Sequence, residues 1–181
     1  MAGSDKGLIE LAGRPLIDYV IAAFKPQVQS LMISANRNLE QYGRYGAPVV
    51  ADTVAGFAGP LSGMLSALQA ADTPLVATVP CDAPLLAADY VARLAAALGP
   101  DTRACVAHDG QRLQPVFTLL RRDLADSLQA FVHGHDWQVR RWLETVNAVA
   151  VDFSDSPDQF TNVNTPADVS RLALQFGAPH D

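Results

Sequence analysis

Short apolar runs alternate with longer helical patterns along most of this chain, and this alternation constrains the fold more than any other sequence feature. Three runs rich in β-branched or other apolar residues predict buried strands of a parallel sheet, at 31–34, 48–51 and 75–79. Three more predict further strands, at 104–107, 116–120 and 148–153.

The stretches between these runs carry the end signals of helices. Pro15 is a good first-turn residue for a helix over Leu16–Phe24. Thr165 is a good N-cap for a helix over Pro166–Phe176, and Asp168 occupies the place of a capping-box acid. Four more helices are predicted at 61–70, 87–98, 122–131 and 137–145.

This order of elements predicts an α/β protein, a three-layer αβα sandwich around a Rossmann-like, mainly parallel but mixed sheet. With no composition break or internal repeat, residues 1–181 are expected to form one domain. The net charge of −6 argues against broad nucleic-acid binding. Since the chain also has no long apolar segment and only two cysteines, it is predicted to be cytoplasmic, with no nucleic-acid or membrane partner.

In open α/β sheets, ligands bind where strands end, so polar residues at predicted strand ends are the first site candidates. Asn36 follows the run 31–34 and either reads a base or ribose edge or caps the next helix. Lys6 lies in a glycine-bearing segment, Gly-Ser-Asp-Lys-Gly, that suits phosphate binding. Taken alone, however, that segment is better explained as an ordinary surface lysine near a disordered N-terminus.

A third candidate is Asp52, which follows the run 48–51 and precedes a loop to Gly59, Pro60 and Gly63. That loop leads into a helix N-terminus, where free N–H groups favour an anion. The Asp52 carboxylate is able to accept the paired N–H donors of guanine. The alternative is a glycine-containing turn capped by an acid.

The fourth candidate is Asp82, which ends the run 75–79 between Pro80 and Pro84. A carboxylate on a rigid loop suits Mg²⁺, which binds one or two carboxylates together with substrate phosphates. Asn162 and Asn164 would share one face of an extended segment and so could face one ligand. The alternatives are a structural turn acid at Asp82 and a helix-capping Asn164.

In combination, these residues resemble the molybdenum cofactor guanylyltransferase family across nearly the whole chain. The matching segments are Asp-Lys-Gly at 5–7, Gly-Arg-Pro-Leu at 13–16, Ser-Ala-Asn-Arg at 34–37, Gly-Pro-Leu-Ser-Gly-Met at 59–64, Pro-Cys-Asp at 80–82 and Asn-Val-Asn-Thr-Pro at 162–166. Several of them recur in sugar-phosphate nucleotidyltransferases. The combined set is much more specific.

The resemblance implies a nucleotide-diphospho-sugar-transferase-like fold and an enzyme that transfers GMP from GTP to molybdopterin, releasing pyrophosphate. Lys6 would contact the triphosphate, Asp82 would bind Mg²⁺, and the guanine nucleotide would be held with Asn36, Asp52, Gly59 and Gly63. The molybdopterin side would include Asn162 and Asn164, with Arg140 and Arg141 as a basic pair. Those arginines could instead simply decorate the helix over 137–145.

The resemblance also implies other molybdenum-cofactor proteins and molybdoenzymes as partners. Alternatives are a related cytidylyl- or sugar-phosphate nucleotidyltransferase, or a non-catalytic nucleotide-binding or partner-docking domain of the same fold.

The N-terminus departs from the pattern of the family. Members of the family begin with a buried strand and a Leu-Ala-Gly-Gly loop, which residues 1–3 do not supply. We therefore expect upstream residues in the natural protein.

Overall fold

A computed structural model describes residues 5–52 and 59–176 of the protein. The beginning of the Gly-Ser-Asp-Lys-Gly segment and the loop between Asp52 and Gly59 lie outside these residues. The strands are β1 Glu10–Leu11, β2 Arg14–Pro15, β3 Ile33–Ser34, β4 Val49–Val50, β5 Leu75–Thr78, β6 Ala104–His108, β7 Leu113–Arg121 and β8 Val149–Asp152. The α-helices are α1 Leu16–Phe24, α2 Leu39–Gly43, α3 Pro60–Ala70, α4 Tyr90–Ala96, α5 Ala125–His133, α6 Val139–Thr145 and α7 Pro166–Phe176.

Four strands form one mixed sheet in the order β5-β7-β6-β8, in which β6 and β8 are parallel and β7 is antiparallel to both neighbours. The direction of β7 follows from its link to β6, a tight turn in which Asp109 Oδ1 accepts hydrogen bonds from the backbone N–H groups of Gln111 and Arg112. Strands β3 and β4 form a separate parallel pair, and β1 and β2 a small antiparallel hairpin. The mixed sheet was predicted from the sequence and is confirmed.

Alternate residues of β6 enter two different cores, as expected for a sheet with helices on both faces. Ala104 and Val106 pack in the core formed with α3, α5 and α6. Cys105 and Ala107 pack on the other face, in the core formed with α4 and the aromatic residues Phe117, Phe153 and Phe160. The predicted three-layer arrangement follows from this alternation.

Some predicted helices are shorter than the sequence indicated. The pattern over 87–98 gives α4, Tyr90–Ala96, because the backbone N–H groups of Ala97 and Leu98 donate the tighter hydrogen bonds of a final 3₁₀ turn, to the carbonyl oxygens of Leu94 and Ala95. The capping box is present at α7, where Asp168 N donates to Thr165 Oγ1 at 3.1 Å and Thr165 N donates to Asp168 Oδ2 at 2.9 Å. Over the described ranges, no helix has the length and hydropathy to cross a membrane.

Candidate active site

A cleft of about 710 Å³ separates the β3–β4 pair from the four-stranded sheet. Strands β3 and β5 line its two walls, and within the described residues each is paired with another strand on one side only. The interior is mainly apolar, with Leu31 and Met32 on one wall and Val76 on the other. Polar residues appear at the mouth, beyond the carboxyl ends of the strands, where ligands of open α/β sheets bind.

Lys6, Asp82 and Asn164 come together at this mouth, although they are far apart in the sequence. Lys6 Nζ donates to Asp82 Oδ2 at 3.0 Å and to Asn164 Oδ1 at 2.6 Å. The Lys6 side chain is 45% exposed, whereas that of Asp82 is only 8% exposed. The result is an accessible ammonium group held over a nearly buried carboxylate.

The loop after β5 is fixed by its backbone as well as by its prolines. Val163 N donates to Asp82 O at 2.9 Å, which ties the segment of Asn162 and Asn164 to the Asp82 loop. The buried Asn162 Oδ1 has no hydrogen-bond partner in the part of the chain that the structure describes. Burial, together with the nearby Asp82 and Asp5 charges, raises the pKa of the Cys81 thiol to about 12. Cys81 therefore stays protonated and is not a nucleophile here.

Asn36 and Asp52 form a second polar unit at the same mouth. Asn36 Nδ2 donates to Asp52 Oδ2 at 2.6 Å, and Asp52 N donates to Asn36 Oδ1 at 2.8 Å. The side chain of Asn36 therefore does not cap the following helix, which rules out that alternative. The pair joins the ends of β3 and β4, and among the described residues no donor is recorded for the second Asp52 carboxylate oxygen.

Gly59 and Gly63 lie where α3 meets the cleft. Gly59 is the N-cap of α3, and the backbone N–H of Ser62 donates to its carbonyl oxygen at 3.1 Å. A Cβ atom on Gly63 would lie 2.8 Å from Ser34 Oγ, so this glycine lets α3 approach β3 closely. Both glycines line the cleft, so the N-terminal end of α3 lies at its wall.

Arg140 and Arg141 are not brought to this mouth by any contact of the described residues. Both lie on α6, where Arg140 Nε pairs with Glu144 at 3.1 Å and Arg141 Nη1 pairs with Asp136 at 2.8 Å. Their assignment to the pterin side stays a prediction. No cluster of three or more His, Cys, Asp or Glu side chains that could hold a metal occurs within residues 5–52 and 59–176.

Sequence reasoning missed a group of residues behind Lys6. Asp5 Oδ1 accepts a hydrogen bond from the Tyr42 hydroxyl at 2.5 Å, and its Oδ2 accepts one from Asn38 Nδ2 at 3.0 Å. Tyr42 is on α2, a helix of five residues that was not predicted. So short a helix gives too little periodicity for detection, and nothing in the sequence places it beside residue 5.

Solved structures with a similar fold are nucleotidyltransferases. The molybdopterin-guanine dinucleotide biosynthesis protein A from Archaeoglobus fulgidus aligns with a TM-score of 0.79 and 21% identity, covering 97% of this chain and 92% of that one. The 2-C-methyl-D-erythritol 4-phosphate cytidylyltransferase from Thermus thermophilus aligns with a TM-score of 0.72 and 16% identity, covering 96% and 94%. The chain therefore has the fold that these two proteins share.

Sequence comparison identifies the family. A profile of the MobA-like NTP transferase domain matches residues 1–150. A molybdenum cofactor guanylyltransferase of Shewanella pealeana is 43% identical over 173 residues, covering 95% of this chain and 86% of the relative. One of Photobacterium profundum is 43% identical over 177 residues, covering 98% and 89%. The chain belongs to the MobA-like NTP transferase family.

Proposed function

We propose that this protein is a molybdenum cofactor guanylyltransferase, which transfers GMP from GTP to the terminal phosphate of molybdopterin and releases pyrophosphate. The observation that carries the proposal is the placement of Lys6 over Asp82 and beside Asn164 at the mouth of the cleft. The names of the relatives support the choice of substrates over the cytidylyl, sugar-phosphate and non-catalytic alternatives.

Guanine recognition is assigned to the Asn36–Asp52 pair. Asn36 holds one Asp52 oxygen at 2.6 Å, which fixes the carboxylate at the cleft mouth. A fixed carboxylate accepts the adjacent N–H donors of guanine, whereas cytosine and adenine do not present the same pair. Gly59, Gly63 and the N-terminus of α3 would support the phosphate groups next to this pair.

Lys6 is assigned to the triphosphate. A lysine ammonium has three N–H donors, and the described contacts of Lys6 use two of them, to Asp82 and Asn164. The third donor is then available to a phosphate oxygen on the exposed side of the ammonium. Its charge would offset the negative charge that accumulates as pyrophosphate leaves.

The chemistry needs no general base from the protein. The second pKa of a phosphate monoester is about 6, so the attacking molybdopterin phosphate is already largely ionised at neutral pH. One oxygen of that phosphate attacks the α-phosphorus of GTP, a new P–O bond forms, and the bond to the β-phosphate oxygen breaks. The protein's contribution is to hold the two phosphates in line and to neutralise charge.

Mg²⁺ is assigned to Asp82. The chain offers one nearly buried carboxylate here, with its Oδ1 not engaged by Lys6, and this fits an ion that takes most of its other ligands from phosphates and water. When bound, the ion would neutralise phosphate charge. Asn162 and Asn164 are assigned to the pterin side, and the hydrogen bond from Val163 N to Asp82 O places their segment next to the Asp82 loop. Other molybdenum-cofactor proteins and a cytoplasmic location stay predictions.

The test is binding of GTP, CTP and ATP with and without Mg²⁺, followed by GTP turnover with molybdopterin. We expect GTP to be preferred and Mg²⁺ to strengthen its binding. Asp82→Ala should lower turnover by at least about a hundredfold, the scale of losing a major charge-stabilising group, with the thermal midpoint little changed. Asp72→Ala removes the same charge from an exposed position and is the matched control.

Different outcomes contradict different parts of this proposal. Normal turnover by Asp82→Ala at ordinary Mg²⁺ would exclude the metal assignment. A preference for CTP would move the protein to the cytidylyltransferases. Nucleotide binding without pyrophosphate release would favour a non-catalytic domain.

We further propose that the apolar part of the cleft is filled by an extended strand supplied by the polypeptide ahead of Asp5. Strands β3 and β5 both face this space, and within the described residues each has a paired neighbour on its other side only, so a strand between them would pair with both. Such a strand would end at the cleft mouth, next to Lys6. It would complete one continuous sheet and carry a loop to the nucleotide phosphates, within the single domain predicted from the sequence.

A further inference from the structure

The segment that carries Lys6 is held in place from behind by Asp5. Lys6 begins a single 3₁₀ turn, Lys6–Leu8, in which Leu8 N donates to Asp5 O at 3.1 Å. The Asp5 side chain points away from this turn, toward Tyr42 and Asn38 on and before α2, and accepts one hydrogen bond from each. The position of Lys6 therefore depends on how Asp5 is held.

Tyr42 is built into the core, so it provides a rigid support for Asp5. Its side chain is only 3% exposed and packs with Ile17 and Ile33, which belong to α1 and β3. Burial first, and then the hydrogen bond to Asp5, raise the pKa of the Tyr42 hydroxyl well above its usual value. The hydroxyl thus remains a donor at any pH at which the protein works.

The same contacts leave no space for the Lys6 turn to shift inward. A Cβ atom on Gly7 would lie 2.7 Å from the Tyr42 hydroxyl oxygen and 3.2 Å from Cys81 Cβ. Gly7 is therefore packed between α2 and the loop that carries Asp82. Two sets of contacts therefore fix the position of Lys6. On one side Tyr42 holds Asp5, and on the other side Cys81 packs against Gly7 and Asp82 pairs with Lys6.

We propose that Tyr42 and Asp5 are positioning residues, which hold the Lys6 ammonium over Asp82 at the phosphate end of the cleft. The inference rests on the proposed function for its catalytic meaning, but the positioning itself is measurable without turnover. Neither residue touches the reacting phosphates in this scheme. Both act only through the location of Lys6.

The chain offers a matched control for Tyr42. Tyr45, three residues further on, donates its hydroxyl to Asp18 Oδ1 at 2.6 Å and has its pKa raised to about 12 by burial and by this hydrogen bond. Tyr42→Phe and Tyr45→Phe each remove one partly buried tyrosine–aspartate hydrogen bond from the same region. Only the first is connected to Lys6.

The experiment compares the acylation rates of the two lysines in the sequence, Lys6 and Lys25, by an amine-reactive ester and peptide mass spectrometry. Lys25 is exposed and serves as the internal reference. Tyr42→Phe should raise the Lys6/Lys25 ratio by about five- to tenfold, the scale of the net contribution of one hydrogen bond. Tyr45→Phe should leave the ratio unchanged, although it should lower the thermal midpoint about as much as Tyr42→Phe does.

Variants of Asp5 separate geometry from charge. In Asp5→Asn the amide oxygen still accepts from Tyr42, and Asn38 can turn its amide to accept from the new NH₂ group, so most of the protection of Lys6 should remain. Asp5→Ala should behave like Tyr42→Phe. An unchanged labelling ratio in both Tyr42→Phe and Asp5→Ala would overturn the proposal.

Turnover measurements test whether the positioning of Lys6 matters for catalysis. We expect Tyr42→Phe to lower kcat for GTP consumption by about tenfold with less change in KM, since Lys6 would be misplaced mainly for the charge that develops during the reaction. Equal losses of kcat in Tyr42→Phe and Tyr45→Phe would show that Tyr42 has only a structural role. If the unsubstituted protein shows no GTP turnover but the labelling ratio shifts as expected, the proposed function fails and the positioning of Lys6 stands.

Discussion

The four-stranded sheet and the β3–β4 pair differ in how they are packed. Strands β5, β7 and β6 contribute to apolar cores on both faces, with residues such as Leu120 and Phe117 almost fully buried, whereas the edge strand β8 is mostly exposed. The β3–β4 pair packs against α1, α2 and α3, but its edge faces an open cleft. The candidate site lies where these two regions meet. Substitutions in the core of the four-stranded sheet should therefore change mainly the stability of the protein, and substitutions beside the cleft should change it less.

The largest contrast is expected between two leucine truncations. Leu120 is fully buried in β7, so Leu120→Ala should lower the free energy of unfolding by about 2–5 kcal/mol. Leu31 lines the cleft and is only partly buried, so Leu31→Ala should cost less than about 1 kcal/mol. Chemical denaturation of both variants measures the difference.

Adding the proposed strand should remove this contrast. With an apolar strand and a Leu-Ala-Gly-Gly loop fused ahead of residue 1, Leu31 becomes buried, and Leu31→Ala should then cost about 2 kcal/mol or more. The extended protein should also melt at a higher temperature than one with a polar extension of equal length. If the cost of Leu31→Ala is the same with and without the apolar extension, no strand occupies the cleft.

A smaller effect is expected from two glycine substitutions, one in the Lys6 turn and one in α2. Gly7→Ala places a methyl group 2.7 Å from the Tyr42 hydroxyl oxygen and should destabilise by about 1–3 kcal/mol. Gly43 ends α2 with nothing within 4 Å of its added Cβ, so Gly43→Ala should be neutral or stabilise by up to about 1 kcal/mol. Thermal melting of the two variants gives the sign of each stability change. A stabilising Gly7→Ala would contradict the close packing of the Lys6 turn.

The smallest effect concerns the acid end of the pH range. Hydrogen bonds from Thr165, then from Asn164 and Thr165 backbone N–H groups, lower the pKa of Asp168 below its usual 3.8. A carboxyl whose pKa is lowered by folding contributes stability that is present above 3.8 and is lost as the pH falls through the folded value. We therefore expect the protection factors of α7 amides, which are corrected for the intrinsic exchange rate at each pH, to fall below about pH 4, and this fall to become smaller in Asp168→Asn.

Much of the site was predictable because its residues follow strands. Asn36, Asp52 and Asp82 each come just after an apolar run, and the carboxyl ends of strands in such sheets gather at one edge. The capping box of α7 was also predictable, since it depends on residues three apart. Local signals of this kind need no knowledge of the tertiary structure.

The sequence by itself therefore determined the α/β class, the family, and the polar residues at the strand ends. Only the tertiary structure decided that Lys6 contacts Asn164 across 158 positions and that Tyr42 holds Asp5 across 37. It also decided that β7 runs antiparallel to its neighbours and that a cleft separates β3 from β5. The physical reason is that contacts between distant segments depend on how whole elements pack, and a residue pattern within one element carries no record of its partner.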